Sequence, residues 1–294
     1  MFLIIKSLAI GFLSVAHNLT SLNNTEFIEH HNSLNLSYQL GENKFINREY
    51  IDEFASQESH FMLRKNDNNL VEEFPPFHHE SIDWRDKNKV SSVKNQEKCG
   101  DCWAFSASGA VESAHAIENN VLYNLSQQEL LDCSYLNHGC NGGSMDLAFQ
   151  FIMRNGLCTN GSYPYQAMRS ECQKRDCESV VQISNYSDVT QNNEKALSRA
   201  VSIQPVSVAI QANKRSFQLY QSGIYSDEEC GTQLDHGVLV VGYGSDNEFN
   251  MDYWIIKNSW GPEWGENGYI RIQRNIDDER GLCGIAMQPS YPIV

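Results

Sequence analysis

The stretch Gln96-Glu97-Lys98-Cys99-Gly100-Asp101-Cys102-Trp103-Ala104-Phe105-Ser106 opens the clearest helix signal in this 294-residue chain. Ala104, Phe105, Ala107, Ala110, Val111 and Ala114 follow at spacings that give a small-residue helix able to pack closely. Cys102 falls at its first turn. A thiol there is acidified, because unpaired backbone N–H groups and the helix dipole favour the thiolate. A protein nucleophile also needs a base, and the base needs an orienter. His236 sits in Leu234-Asp235-His236-Gly237-Val238, at the mouth of a strand pattern. Asn258 sits in Trp254-Ile255-Ile256-Lys257-Asn258-Ser259-Trp260-Gly261, ending another. An Asn side chain can accept the His N–H and fix its tautomer, and Trp260 would shield that bond from water. Gln96 can supply one oxyanion donor and the Cys102 backbone N–H the other. Taken singly, each residue has a bland reading: a buried Cys or disulfide half, a surface or core His. Only the set carries chemistry.

Working outward, Ser126-Gln127-Gln128-Glu129 reads as a capping box opening a second helix. Ser144 caps a third, which runs to Asn155 and stops at Gly156. The later half carries strand signals: Val206, Val208 and Ile210 alternate, as do Val238 and Val240, and Tyr253–Ile256 and Tyr269–Ile272 are short β runs. A helical half beside a β-rich half predicts two lobes with a cleft between them. No internal repeat is visible.

Lys and Arg number 22 against 37 Asp and Glu, a net charge of −15, which argues against a nucleic-acid partner. Hydrophobic residues at 41% and charged residues at 20% fit a globular chain rather than a disordered one. No apolar run beyond the N-terminus is long enough for a multi-span membrane protein. Residues 1–16, MFLIIKSLAIGFLSVA, read as a secretory signal peptide cut after Ala16. An uncleaved anchor or a buried segment is the alternative, since Lys6 interrupts the stretch. Sequons begin at Asn18, Asn23, Asn35, Asn124, Asn160 and Asn185. With nine Cys, they point to an oxidising lumen. All nine fall between Cys99 and Cys283, after a polar Cys-free stretch and a linker-like segment at 66–79 (NDNNLVEEFPPFHH). That step predicts a removable pro-segment, with a flexible arm as the alternative.

The chain resembles the papain-like cysteine proteases, the C1 family that includes cathepsin L and actinidin. The resemblance covers roughly residues 28–294 and rests on Gln96 to Ser106, Gly139-Cys140-Asn141-Gly142-Gly143, Leu234 to Gly244, Asn258-Ser259-Trp260-Gly261 and Cys283-Gly284-Ile285. The Cys–His and Cys–Asn separations, 236 − 102 = 134 and 258 − 102 = 156, lie near the family's. It implies an α+β fold of two lobes, helical on the left (roughly 88–188) and β-barrel-like on the right (roughly 189–294). The peptidase domain would span 79–294, after a signal peptide (1–16) and a shortened pro-segment and linker (17–78). The implied roles are Cys102 as nucleophile, His236 as general acid/base, Asn258 as orienter and Gln96 as oxyanion donor. Gly142, Gly143 and Trp260 would border the substrate. Met145, Ala209, Leu234, Gly237 and Gln288 would line the pocket for the residue two before the scissile bond. That pocket is apolar with a polar, uncharged floor, so Leu or Phe should fit and Arg should be selected weakly.

The family pattern pairs Cys99 with Cys140, Cys133 with Cys172 and Cys230 with Cys283. Cys158 and Cys177 remain as a fourth pair, leaving Cys102 as the free thiol. Zinc at the Cys-x-x-Cys of 99–102 is the alternative, but no second pair matches it. No metal or organic cofactor is implied. Expected partners are protein and peptide substrates, the chain's own pro-segment and cystatin-like inhibitors; the expected state is a monomer, in an extracellular, lysosomal or vacuolar setting. No insertion blocks the cleft, which favours endopeptidase over exopeptidase. A catalytically weak or silent relative acting as a binding protein, and a disulfide-stapled adhesion module, are the competing readings.

Two departures from the family stand out. Asp101 replaces the usual Ser or Ala. A carboxylate there should raise the thiol pKa by about 1 kcal/mol of like-charge repulsion; the alternative is that it points to solvent. In the pro-segment, Asn24, Ile28 and Asn32 match half of the helical pro-motif, and Gly41, Asn43, Phe45 and Asn47 resemble the next motif, with Asn47 for the usual Asp. The first half of the helical motif would fall on Leu13, His17 and Ser21, which do not match it. The mature enzyme would start near Phe77 to Glu80.

Overall fold

The computed structural model describes residues 22–47, 80–173 and 177–294. The signal peptide expected at 1–16, the positions Leu13, His17 and Ser21, and the linker at 66–79 lie outside the described residues.

The helical half holds α2 (Cys102–Asn119), α3 (Gln127–Cys133) and α4 (Met145–Asn155); α1 (Asn24–Ser33) belongs to the N-terminal segment. Helix α2 is buried continuously from Cys102 to Ala114. Small residues make this possible. A Cβ on Gly109 would stand 3.1 Å from the Leu239 side chain, so the sheet lies directly against the helix. Helix α3 departs from the expected capping box. Ser126 accepts from the Glu129 amide at 3.0 Å, but the Glu129 carboxylate turns away to the Cys158 amide at 2.7 Å. The Ser126 amide donates to the Cys158 carbonyl instead, so only half of the box forms. Ser144 occupies the N-cap of α4 without a side-chain cap bond, and Gly156 ends the helix at φ 65°.

Among the described residues, nine strands join in one sheet: β1 (Tyr38–Leu40), β2 (Ile82–Asp83), β3 (Asn185–Asp188), β4 (Val206–Ile210), β5 (Tyr220–Tyr225), β6 (His236–Asp246), β7 (Met251–Lys257), β8 (Tyr269–Gln273) and β9 (Ser290–Ile293). The order is β1-β5-β8-β7-β6-β4-β9-β3, with β2 on β6. Alternation splits the two cores. Val206, Val208, Val238, Val240, Trp254 and Ile256 face one core, together with helix α5 (Glu194–Ile203). Ala209, Leu239, Val241 and Ile255 face the other, against Ala104, Ala107, Ala110 and Val111 of α2. The central strands therefore serve both halves, and their ends meet the start of α2 at the junction.

Disulfides join Cys99–Cys140, Cys133–Cys172, Cys158–Cys177 and Cys230–Cys283, and Cys102 is the free cysteine. Loop closure of this length stabilises by about 3–4 kcal/mol per bridge on the chain-entropy estimate. Four bridges fit folding on the oxidising secretory route.

The N-terminal segment docks by its own polar side chains. Asn32 brackets Leu40, accepting from its amide and donating to its carbonyl, both at 2.9 Å. Asn24 donates to the Ile46 carbonyl and accepts from Arg215, on the short helix α6 (Arg215–Gln218), both at 2.7 Å. Asn43 donates to the Gln218 carbonyl at 2.9 Å. Strand β1 adds to β5 with Tyr38 opposite Gly223. Gly223 has φ +94°, and a Cβ there would lie 2.3 Å from the Ser37 carbonyl, so this pairing requires glycine.

Candidate active site

Cys102 is the first residue of α2, His236 the first of β6, and Asn258 directly follows β7. Cys102 and His236 line one cleft of about 600 Å³ together with Gln96, Gly142, Trp260 and Phe45. The elements come this close because residue 237 is glycine. A Cβ there would stand 3.3 Å from the Trp103 nitrogen and 3.4 Å from the Cys102 carbonyl carbon.

The imidazole is held from two sides. His236 Nε2 lies 2.7 Å from Asn258 Oδ1, and the same oxygen accepts the Ser259 amide at 2.8 Å. A carbonyl oxygen only accepts, so Nε2 carries the proton and Nδ1 keeps its lone pair. Trp260 stacks on the ring with centroids 4.9 Å apart.

The Gln96 loop is tied down as tightly. The Gln96 amide accepts from Ser259 Oγ at 2.6 Å and donates one of its two hydrogens to the Cys99 carbonyl at 2.9 Å. Its backbone N–H donates to the Ser259 carbonyl at 2.8 Å. The second amide hydrogen and the Cys102 backbone N–H are the two donors available for an oxyanion.

In this closed form burial outweighs the helix terminus. Burial pushes the Cys102 thiol up to about 12; the Gly237 amide opposes this, the Asp101 and Asp235 charges add to it, and the Trp103 amide opposes it. The acidification expected at the first turn is present through that last amide, but it is the weaker effect. Burial likewise pushes His236 down to about 4, with the Asn258 bond opposing and the Lys44 charge assisting. Cysteine and imidazole therefore rest as a neutral pair. Asp101 does not reach solvent: it is wholly buried, and burial pushes its carboxyl up to about 8 against the Tyr165 hydrogen bond. A permanently charged neighbour for the thiol is thus replaced by a group that is mostly protonated at neutral pH.

Met145, Ala209 and Leu234 pack in the helical-half core, and Gly237 stands against the Met145 sulfur. Gln288 is buried near the start of β9. Gly143 is pressed against Asn137 and Trp103, where a Cβ would come within 2.4 and 2.8 Å. Sequence reasoning missed Ala212, Asn213 and Gln218, which also line the cleft, and Tyr165, whose hydroxyl reaches the Gln96 loop. Short motifs mark none of them. Glu129, Cys158 and Cys177 cluster at a spacing that suits a metal, but the two sulfurs are joined in a disulfide and offer no thiolate. Cys99 is likewise bridged, so the Cys-x-x-Cys of 99–102 presents one thiol.

The described N-terminal segment reaches this cleft. Phe45 meets Trp260 edge-on at 5.0 Å, and Lys44 Nζ donates to the Trp260 carbonyl at 2.9 Å.

The "Probable cysteine protease RD21B" of Arabidopsis thaliana is 48% identical over 277 residues, covering 92% of this chain and 59% of its own length, so the chain spans little more than half of that relative. Bromelain from Ananas comosus, solved with the E64 inhibitor, superposes with TM-score 0.71 at 44% identity, over 74% of this chain and all of bromelain. The ragweed Amb a 11 cysteine protease in its proform gives TM-score 0.83 at 38% identity, over 92% of this chain and 86% of that one. The profile of the papain family of cysteine proteases matches residues 78–293, and with the cleft described above it shows that the chain belongs to that family.

Proposed function

We propose that the chain is a cysteine endopeptidase, latent in the described form. The observation that carries this is the His236–Asn258 bond of 2.7 Å in the same cleft as the one free cysteine. Cys102 gives its proton to His236 Nδ1 and attacks the peptide carbonyl, forming a C–S bond. The oxyanion is held by the Gln96 amide and the Cys102 N–H. His236 returns the proton to the leaving amine as the C–N bond breaks. Water, deprotonated by His236, then hydrolyses the thioester. Asn258 keeps the imidazole in the required tautomer throughout.

The N-terminal segment acts as the pro-segment. Phe45 removes water from the cleft and Lys44 disfavours imidazolium, so both hold the pair neutral. By linkage, docking is strongest where His236 is neutral in both states and weakens as pH falls below its ordinary 6.5 toward about 4.

Substrates are unfolded or extended polypeptides with an apolar residue two before the scissile bond. Met145, Ala209 and Leu234 supply apolar walls, and no carboxylate is among the proposed pocket residues. The test is hydrolysis of paired fluorogenic peptides differing only at that position. Leu should exceed Arg in kcat/KM by about tenfold or more, since burying an unpaired guanidinium forfeits at least that much. An Arg preference would contradict the pocket.

A further inference from the structure

Tyr165 has one hydroxyl proton and two oxygen neighbours. Its Oη lies 3.0 Å from the Gln96 carbonyl and 2.9 Å from Asp101 Oδ1. The carbonyl only accepts, so the tyrosine proton satisfies that contact, and the second contact needs a proton from elsewhere. Asp101 can supply it only as the acid. Three further facts agree. Asp101 is 0% exposed, its Oδ2 has no hydrogen-bond partner, and among the described residues no cation pairs with it. Besides Asp101 itself, the ionisable groups acting on Tyr165 are Cys102 at the start of α2 and Glu97 on the Gln96 loop, and Asp235 at the entry to β6 acts on Cys102; all are neutral or negative. An isolated carboxylate in such surroundings is far costlier than the neutral acid.

We infer that Asp101 is held as a neutral carboxylic acid that donates to Tyr165 Oη, and that this two-proton chain positions the Gln96 loop against the first turn of α2. Asp101 is a positioning residue here, a role that presupposes Cys102 as the nucleophile. The loop is otherwise a small closed ring, with the Gln96 carbonyl accepting from the Cys99 amide at 3.2 Å and the Gln96 side chain donating to the Cys99 carbonyl at 2.9 Å. The Asp101–Tyr165 chain ties that ring to the helix that carries the second oxyanion donor. Loss of the Asp101 proton sets two acceptors against one hydroxyl and places a negative charge beside the thiol.

The test uses the full chain. Difference infrared spectra between wild type and Asp101→Asn should show the carbonyl stretch of a protonated acid at neutral pH, converting to carboxylate under alkaline conditions. Tyr165→Phe, which keeps the ring packed on Phe105, should move that band to the frequency of an unbonded acid, and it serves if the asparagine variant does not fold. In peptide hydrolysis, Asp101→Ser should lower kcat about tenfold with little change in KM. Asp101→Asn should rescue most of that loss, because its amide donates to the same oxygen, and should lack one ionisation on the alkaline side of the profile. A carboxylate band at neutral pH would overturn the inference, as would Asp101→Asn showing no rescue relative to Asp101→Ser. The infrared result does not depend on turnover. A protonated-acid band without any hydrolysis once the N-terminal segment has been released would sink the protease reading, whereas hydrolysis with a carboxylate band would sink the inference alone.

Discussion

Replacing His236 with alanine is expected to reduce peptide hydrolysis by about a thousandfold at neutral pH, the usual size of a lost general acid/base. In the proposed mechanism the imidazole accepts the thiol proton and donates to the leaving amine, and nothing else described in the cleft combines a free lone pair with an oriented ring. In the closed form burial holds His236 down to about 4, so at neutral pH it is unprotonated and ready to accept. Without it, Cys102 must ionise alone, and an unassisted thiol ionises only above about pH 8. The residual rate of His236→Ala should therefore climb steadily toward alkaline pH, about tenfold per unit, while the wild type levels off. The variant also removes the ring stacked on Trp260, so circular dichroism and melting should accompany the kinetics. A variant that kept wild-type turnover would remove His236 from the mechanism.

Glu112→Ala is expected to destabilise the fold by about 3–5 kcal/mol, because it strands buried cations. Glu112 lies on α2 at 1% exposure. Its carboxylate accepts Lys94 Nζ at 2.6 Å and the Leu125 amide at 2.8 Å, and Ser91 Oγ also donates to it. Lys257 joins through that Ser91 hydroxyl at 2.9 Å. Burial alone would push Glu112 up, but Lys94 and Lys257 hold it below the ordinary carboxylate value. Burial pulls Lys257 down to about 8 despite Glu112. The two lysines are thus unequal: Lys94 makes the direct ion pair, and Lys257 is the partner in deficit. The signs follow. The Glu112 contribution is fully present above about pH 4.5, its unfolded value, and is lost as pH falls through its lower folded value. Lys257 binds fewer protons folded than unfolded between about pH 8 and 10.5, so its burial becomes easier as pH rises through that range. Melting of Glu112→Ala should therefore drop by about 10 °C, and because losing Glu112 makes Lys257 give up its proton at lower pH than in the wild type, part of the deficit should return as pH rises toward about 8. A pH-independent loss would show that packing, not charge, dominates. Because Lys257 precedes Asn258, this network also anchors the strand end that orients His236.

Short local patterns made the scaffold of the site legible. Cys102 heads α2 because the alanine-rich run that follows packs against the sheet. His236 and Asn258 sit at the ends of β6 and β7 because alternation fixes where those strands begin and stop. The remainder depends on partners far apart in sequence. Asp101 reads as a surface carboxylate or a like-charge neighbour until Tyr165, 64 residues on, is seen at its oxygen. The Glu129 half of a capping box is diverted by Cys158, 29 residues away. Glu112, Lys94 and Lys257 are three ordinary charges in the sequence and one buried network in the fold. The acidified thiol anticipated from the helix terminus is reversed by burial in the cleft, which no local window contains.

The most direct test is labelling with a peptidyl epoxide, read by mass spectrometry after the pro-segment has been released. Cys102 should carry the adduct, the other eight cysteines should remain in their four disulfides, and His236→Ala should slow the reaction sharply. A folded, released protein whose Cys102 stays unmodified, or is modified equally fast without His236, would contradict a cysteine nucleophile activated by that imidazole.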